Sequence, residues 1–228
     1  MAVSDIHAPR YIRHYISSLV KHESDCREAQ LMLWGGDIIY KGKVENIKLV
    51  EEVTISKCNV ETIVGVFGNE EYMGFEDKLR ALTRKVRWLD DEYLLLDTGS
   101  VKLGIIGSRG VLDRPTRWQQ AHIKGIREIY SARVKRIEVM LRELKSVADK
   151  VILLTHYAPT YATLEGESPR AWPEMGSKRL ERIVEKLQPD IVVHGHAHNS
   201  RKLEARIGKT LILNVALPAR HDITIIEL

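Results

Sequence analysis

The chain has 228 residues, 44% apolar and 29% charged, with a formal charge of +4; this is the composition of a soluble globular protein long enough to bury a substantial core. No apolar run approaches the roughly 18 residues of a helical membrane span, and Ser4-Asp5 interrupts the N-terminus before a signal peptide's apolar stretch forms. One domain over residues 1–228 and a cytoplasmic location are therefore expected, while the modest positive charge suits an anionic partner and mere solubility alike.

Met1-Ala2-Val3 reads as a short strand that runs into Ser4-Asp5-Ile6-His7. Asp5 and His7 stand two apart, so in extended chain they face one way. Pro9 opens a helix from Arg10 to about Lys21, with Tyr11, Tyr15, Ile16 and Leu19 at helical spacing. Leu31-Met32-Leu33-Trp34 is a second strand ending in Gly35-Gly36-Asp37; a helix over about 44–57 follows, its expected core residues Ile47, Val50, Val53 and Ile55. The third strand, Thr62 to Phe67, ends in Gly68-Asn69-Glu70-Glu71, and a helix spans about 75–83. Cys26 and Cys58 lack C-x-x-C spacing, and free thiols are the cytosolic default. Only nine residues are Asn or Gln against 66 Lys, Arg, Asp and Glu. That bias is seen in thermophile proteins, in which intracellular disulfides occur, so pairing stays open.

Two strands are expected near 93–96 and 101–106, the second ending in Gly107-Ser108-Arg109-Gly110. Arg109 has phosphate-compatible chemistry but reads first as a solvated turn charge. Residues 117–150 read as one long helix, with a stripe of Ile123, Ile126, Tyr130, Val134, Ile137, Leu141 and Leu144. Its opposite face is basic, through Lys124, Arg127, Arg133, Lys135, Arg136, Arg142 and Lys145. A solvated face is the commoner reading, so no nucleic-acid partner is expected, while an oligomer built through this helix stays open. Lys150 to His156 is a buried strand ending in a histidine. The loop 157–176, with Pro159, Tyr161, Trp172 and Pro173, has the length of a pocket-shaping segment. Ser177 caps a helix to about Leu187. The β-branched run Ile191-Val192-Val193 then ends in His194-Gly195-His196-Ala197-His198, where His196 and His198 share a side and Gly195 permits close backbone approach. Three strands over 202–206, 210–214 and 223–227 complete the chain.

Strands alternating with helices in both halves predict a four-layer α/β/β/α sandwich of two mixed sheets with flanking helices. In open α/β sheets ligands bind beyond the carboxyl ends of strands. Five strands here end in Asp5/His7, Asp37, Asn69, His156 and His196/His198, residue types that suit metal ligation.

This set resembles the calcineurin-like metallophosphoesterases, whose pattern is D-x-H, G-D, G-N-H-(D/E), a single H, and G-H-x-H. The chain carries Asp5-Ile6-His7, Gly36-Asp37, Gly68-Asn69-Glu70-Glu71, His156 and Gly195-His196-Ala197-His198 in that order. The resemblance implies two divalent transition-metal ions, Mn, Fe, Zn or Ni. One would be held by Asp5, His7, Asp37 and His198, the other by Asp37, Asn69, His156 and His196, with Asp37 bridging. Two such ions about 3.5–4 Å apart clamp a phosphoryl group and acidify a bridging water, whose hydroxide attacks phosphorus in line. Asn69, Glu70 and His196 are the candidate catalytic residues. His194 shares the parity of His196 and His198 but has no motif role, so support of a ligand from behind, or packing, is its better reading.

One position departs from the family. The histidine of G-N-H, which serves the leaving oxygen, is Glu70 here. Relatives with a Cys at this position resemble this case, and that branch is associated with phosphodiesters. The expected function is thus a metal-dependent phosphoesterase for small-molecule esters, diesters rather than alkyl monoesters. The alternatives are a nuclease of the same fold, disfavoured because no added DNA-binding segment follows the last strand, and a non-catalytic scaffold that retains the metal site.

Overall fold

The computed structural model describes residues 1–227. Its first sheet holds β1 (Ala2–Val3), β2 (Leu31–Trp34), β3 (Thr62–Val66) and β4 (Val86–Leu89), in that spatial order. All three pairings are parallel, with Val3 opposite Trp34 and Trp34 opposite Gly65. A mixed sheet was expected. The parallel arrangement follows from the connections, each of which runs through helix: α1 (Ile12–Lys21) and α2 (Glu23–Glu28), then α3 (Asn46–Lys57), then α4 (Glu76–Leu82).

The second sheet is mixed. It comprises β5 (Glu92–Asp97), β6 (Lys102–Ser108), β7 (Lys150–Thr155), β8 (Ile191–His194), β9 (Glu204–Ile207) and β10 (Thr210–Asn214), in the order β5-β6-β7-β8-β10-β9. The inner four strands are parallel and both edges antiparallel.

Alternation along the strands builds the layers. Ile152 and Leu154 of β7 pack with Leu33, Val64 and Val66 of the other sheet. Val151 and Leu153, one residue out of phase, meet α6 (Ile126–Val147) and α7 (Lys178–Leu187) through Ile137, Leu141, Leu144, Leu180 and Val184. On the other side Tyr15, Leu19, Ile47 and Val50 of α1 and α3 cover Met32, Trp34 and Ile63. Helix, sheet, sheet and helix are stacked as expected.

Several local expectations are corrected. The helix expected over 117–150 is two: α5 (Arg117–His122), opened by a Thr116–Gln119 capping box, and α6. Gly125, at φ 70°, makes the break. Strand β4 was not anticipated, because Arg84, Lys85 and Arg87 mask its short apolar content; Trp88 stacks on Phe67 at 4.7 Å. Ile55 is 38% exposed rather than core. Residues 223–227 form no strand, only a bridge from Thr224 to Ala2, and a short α8 (Leu217–Arg220) precedes them. Cys26 and Cys58 are joined in a disulfide tying α2 to the end of α3, not free. The basic face of α6 is partly spent: Arg133 Nε binds both Asp91 oxygens at 2.7 and 2.8 Å, and Arg136 donates to the Asp91 carbonyl.

Candidate metal centre and its cleft

Because every inner strand is parallel, the carboxyl ends of both sheets point to one edge of the sandwich. All seven ligand candidates lie just beyond β1, β2, β3, β7 and β8. They do not reach one another by strand parity, as the extended-chain reading had it. Asp5, His7, Asp37 and His196 each adopt left-handed backbone, with φ of 58°, 45°, 52° and 69°. Non-glycine residues seldom do so, and their concentration at one place is a mark of a functional site. Tight turns, not pleats, aim these side chains. Two glycines make room. A Cβ on Gly68 would strike the carboxylate and amide nitrogen of Asp37, and one on Gly195 would strike Ser4 Oγ and Asp5 Oδ2.

The buried Asp5 carboxylate is held on one side, Oδ2 accepting from Ser4 Oγ at 2.5 Å and from His196 N at 3.0 Å. Its Oδ1 faces His198 Nε2 at 2.8 Å and His7 Nε2 at 3.8 Å. Asp37 looks both ways. Oδ2 is 3.9 Å from His7 Nε2, and Oδ1, which accepts from Glu70 N at 2.7 Å, is 3.6 Å from His156 Nε2. Ligand atoms of Asp5, His7 and His198 lie within 4.8 Å of one another, as do those of Asp5, Asp37 and His156. The His156 and His196 rings are 5.0 Å apart.

The electrostatics of this cluster favour a cation. Burial, with the charges of Glu71 and Asp5, raises the pKa of Asp37 well above the usual carboxylate range. Burial lowers His7 and His156 to about 4 and holds His196 well below the usual imidazole range, so three imidazoles are neutral and able to ligate. His198 is raised: burial, the largest single influence, lowers it, but the hydrogen bond to Asp5 and the charges of Asp5 and Glu167 together outweigh that.

One contact carries the fit. His156 Nδ1 lies 3.0 Å from the Gly35 carbonyl, which can only accept, so Nδ1 bears the proton. Nε2 of a neutral ring is then an acceptor, yet it faces another acceptor, Asn69 Oδ1, at 3.1 Å. Two opposed lone pairs beside the Asp37 carboxylate are satisfied by a shared cation. His7 Nδ1 is buried without a partner among the described residues, while its Nε2 faces the Asp5 and Asp37 carboxylates. The donor set fits divalent transition metals of the kind expected.

Three residues that support this cluster were undervalued from sequence. Glu71 is fully buried and accepts from Gly68 N at 2.7 Å, Asp37 N at 2.8 Å and Ile39 N at 3.0 Å. One carboxylate thus ties together the turns after β2 and β3. The acid following G-N-x was the available signal. Arg109 is buried, not solvated: its guanidinium donates to the carbonyls of Gly68 and Glu71 and pairs with Glu76 at 2.6 Å. Tyr157, next to His156, lines the adjoining cleft. His194 hydrogen-bonds Thr163 Oγ1 and the Gly195 carbonyl, each at 2.8 Å, as a packing residue would. Glu70 is half-buried, and its Oε2 accepts from Lys41 N at 2.5 Å.

A cavity of about 810 Å³ opens from Asn69, Arg109, Tyr157 and His196 toward α5 and the start of α6. Its wall is mostly the segment 116–133 and not the loop 157–176, of which Tyr157 and Glu174 alone contribute. That loop instead folds on itself, Tyr161 and Trp172 packing against Ala158, Leu164 and Ala197.

The profile of the calcineurin-like phosphoesterase family matches residues 1–200. Among curated proteins no significant match is found. Solved structures with similar folds include a phosphopantetheinyl hydrolase from Mycobacterium tuberculosis, with a TM-score of 0.64 at 13% identity over 96% of this chain and 89% of that one. A dimetal phosphatase from Danio rerio gives 0.59 at 11% identity, covering 93% and 85%. The Plasmodium protein GAP50, described as an anchor in the inner membrane complex, gives 0.63 at 11% identity, covering 95% and 70%. At these identities the likeness is one of fold.

Proposed function

The chain belongs to the calcineurin-like phosphoesterase family and is a hydrolase of phosphoric esters, and on that premise we propose that it is a metal-dependent phosphodiesterase that disfavours alkyl monoesters. The observation that carries the metal centre is the opposed pair of acceptors, His156 Nε2 and Asn69 Oδ1, beside the two-faced Asp37 carboxylate. Asp5, His7, Asp37 and His198 would hold one ion; Asp37, Asn69, His156 and His196 would hold the other. When bound, such ions supply Lewis acidity and an activated water at neutral pH.

The chain's own residues set the rest. Asn69, on the turn fixed by Glu71 and Arg109, presents an amide to a non-bridging phosphoryl oxygen, where charge accumulates during in-line displacement. Glu70 stands where the family has an imidazole. An alkyl leaving group needs a proton donor there, because it otherwise departs as a strongly basic alkoxide. An aryl group needs one far less. A carboxylate also repels a monoester dianion more than a diester monoanion. Both effects favour diesters with good leaving groups.

The test is kcat/KM for matched aryl monoester and diester substrates in the Mn²⁺-supplemented protein. Wild type should prefer the diester, and Glu70→His should raise monoester hydrolysis relative to it. A wild-type preference for the monoester, or a ratio untouched by the substitution, overturns this account of Glu70.

A further inference from the structure

The large cavity beside the metal centre is rimmed by apolar side chains that the hydrolytic step does not use. Trp118 is 61% exposed and Met73 56%, and both line it together with Tyr72, Ile123 and Ile126. Exposed large apolar residues are ordinarily scattered; gathered around one concave site they mark a binding surface. Trp118 is also oriented. The His122 ring lies against it at 4.7 Å with 15° between planes, and His122 Nδ1, 2.8 Å from the Trp118 carbonyl, fixes that ring.

Resting on the phosphoesterase reading above, we propose that this cavity binds an aromatic ring carried by the phosphoester substrate, with Trp118 as its stacking platform. The space is continuous with the site of reaction, since Asn69 and His196 form its inner end. Its charge suits an anionic ester. Lys124, without an ion-pair partner among the described residues, lines it beside Arg109 and Arg133, which are engaged by Glu76 and Asp91, and its one carboxylate, Glu174, is paired with Arg114 at 2.9 Å. A flat occupant is favoured over an alkyl chain because the platform is itself flat and held in place by the His122 ring, and rings offered to such a face gain by stacking.

The experiment is calorimetric binding of phosphonates and a nucleotide to the Mn²⁺-loaded protein. Methylphosphonate, hexylphosphonate, phenylphosphonate and adenosine monophosphate are compared in wild type, Trp118→Ala and Trp118→Phe. Phenylphosphonate or the nucleotide should bind wild type about tenfold tighter than the methyl and hexyl probes. Trp118→Ala should reduce that advantage to within about threefold, and Trp118→Phe should keep most of it. Whichever ring compound gains more identifies the source of the ring, simple aryl ester or nucleoside. Equal or tighter binding of the hexyl probe, no ring preference, or a preference that survives Trp118→Ala overturns the ring site and leaves the metal-centre reading standing. Failure of every probe to bind overturns the ring site, and the metal-centre reading is then decided by the metal content of the purified protein.

Discussion

Asp37 and His156 stand 3.6 Å apart, yet the two sheets deliver them by different means. On the four-stranded side, residues after β1 and β2 are thrown into left-handed turns, and the turns after β2 and β3 are strung from the buried Glu71 carboxylate, with Arg109 of the far sheet donating to the Gly68 and Glu71 carbonyls. On the six-stranded side, His156 follows its strand directly and is aimed by one hydrogen bond to the Gly35 carbonyl. His198 leans on Asp5. The first side holds three of the four left-handed ligand positions and the buried charge, while the second, His196 apart, depends on strands that are buried in any case. The acidic half should therefore be the fragile one.

The largest effect is expected at Asp37, which faces both imidazole groups. Asp37→Asn should strip most bound metal and lower hydrolysis more than about a hundredfold, with circular dichroism unchanged. His198→Ala, the matching loss from the other side, should cost less of both. Metal content by mass spectrometry, read beside turnover, decides it; full metal and activity in Asp37→Asn would end the bridging assignment.

Next comes Glu71. Glu71→Leu leaves three buried N–H groups without acceptors, at about 1–3 kcal/mol each. After relaxation, the metal-free protein should lose about 4 kcal/mol in urea denaturation. Glu71→Gln keeps one acceptor oxygen and should lose less. If Leu and Gln behave alike, the hydrogen bonds are not what joins the turns.

The smallest effect sharpens the comparison by acting on the acidic half from outside the site. The Cys26–Cys58 link closes a loop with a separation of 32 residues, and its reduction should cost about 3 kcal/mol of stability. Because α2 and α3 pack behind the first sheet, turnover at moderate temperature should survive reduction even as the melting temperature falls. A parallel loss of activity at temperatures where the fold persists would show that the helical layer tunes the site directly.

Much of this architecture is legible in the sequence, and the reason is local. Leu31–Trp34, Lys150–Thr155 and Ile191–Val193 are apolar runs that end at once in Asp37, His156 or His196, so strand and ligand announce each other. What escaped depends on distant partners. Glu71 matters through Asp37 and Ile39, more than thirty residues away, and Arg109 through Gly68 and Glu71. Neither burial is visible in a window of neighbours. The stripe from Ile123 to Leu144 continues across Gly125 without a change of period, so periodicity hides the break. Strand β4 is hidden by its charges, and its pairing with β3 is decided by Trp88 reaching Phe67.

The break at Gly125 separates two jobs that one continuous helix would have fused. Beyond it, Ile137, Leu141 and Leu144 are committed to the core. Before it, α5 is a detachable tile of six residues, pinned by Gln119 to the hydroxyls of Tyr157 and Tyr130. Its cavity-lining residues Trp118 and His122 belong to none of the hydrophobic core clusters. Variation there can rewrite what the cleft admits while the catalytic floor and the fold beneath it are inherited intact, which gives this scaffold a cheap route to new substrates.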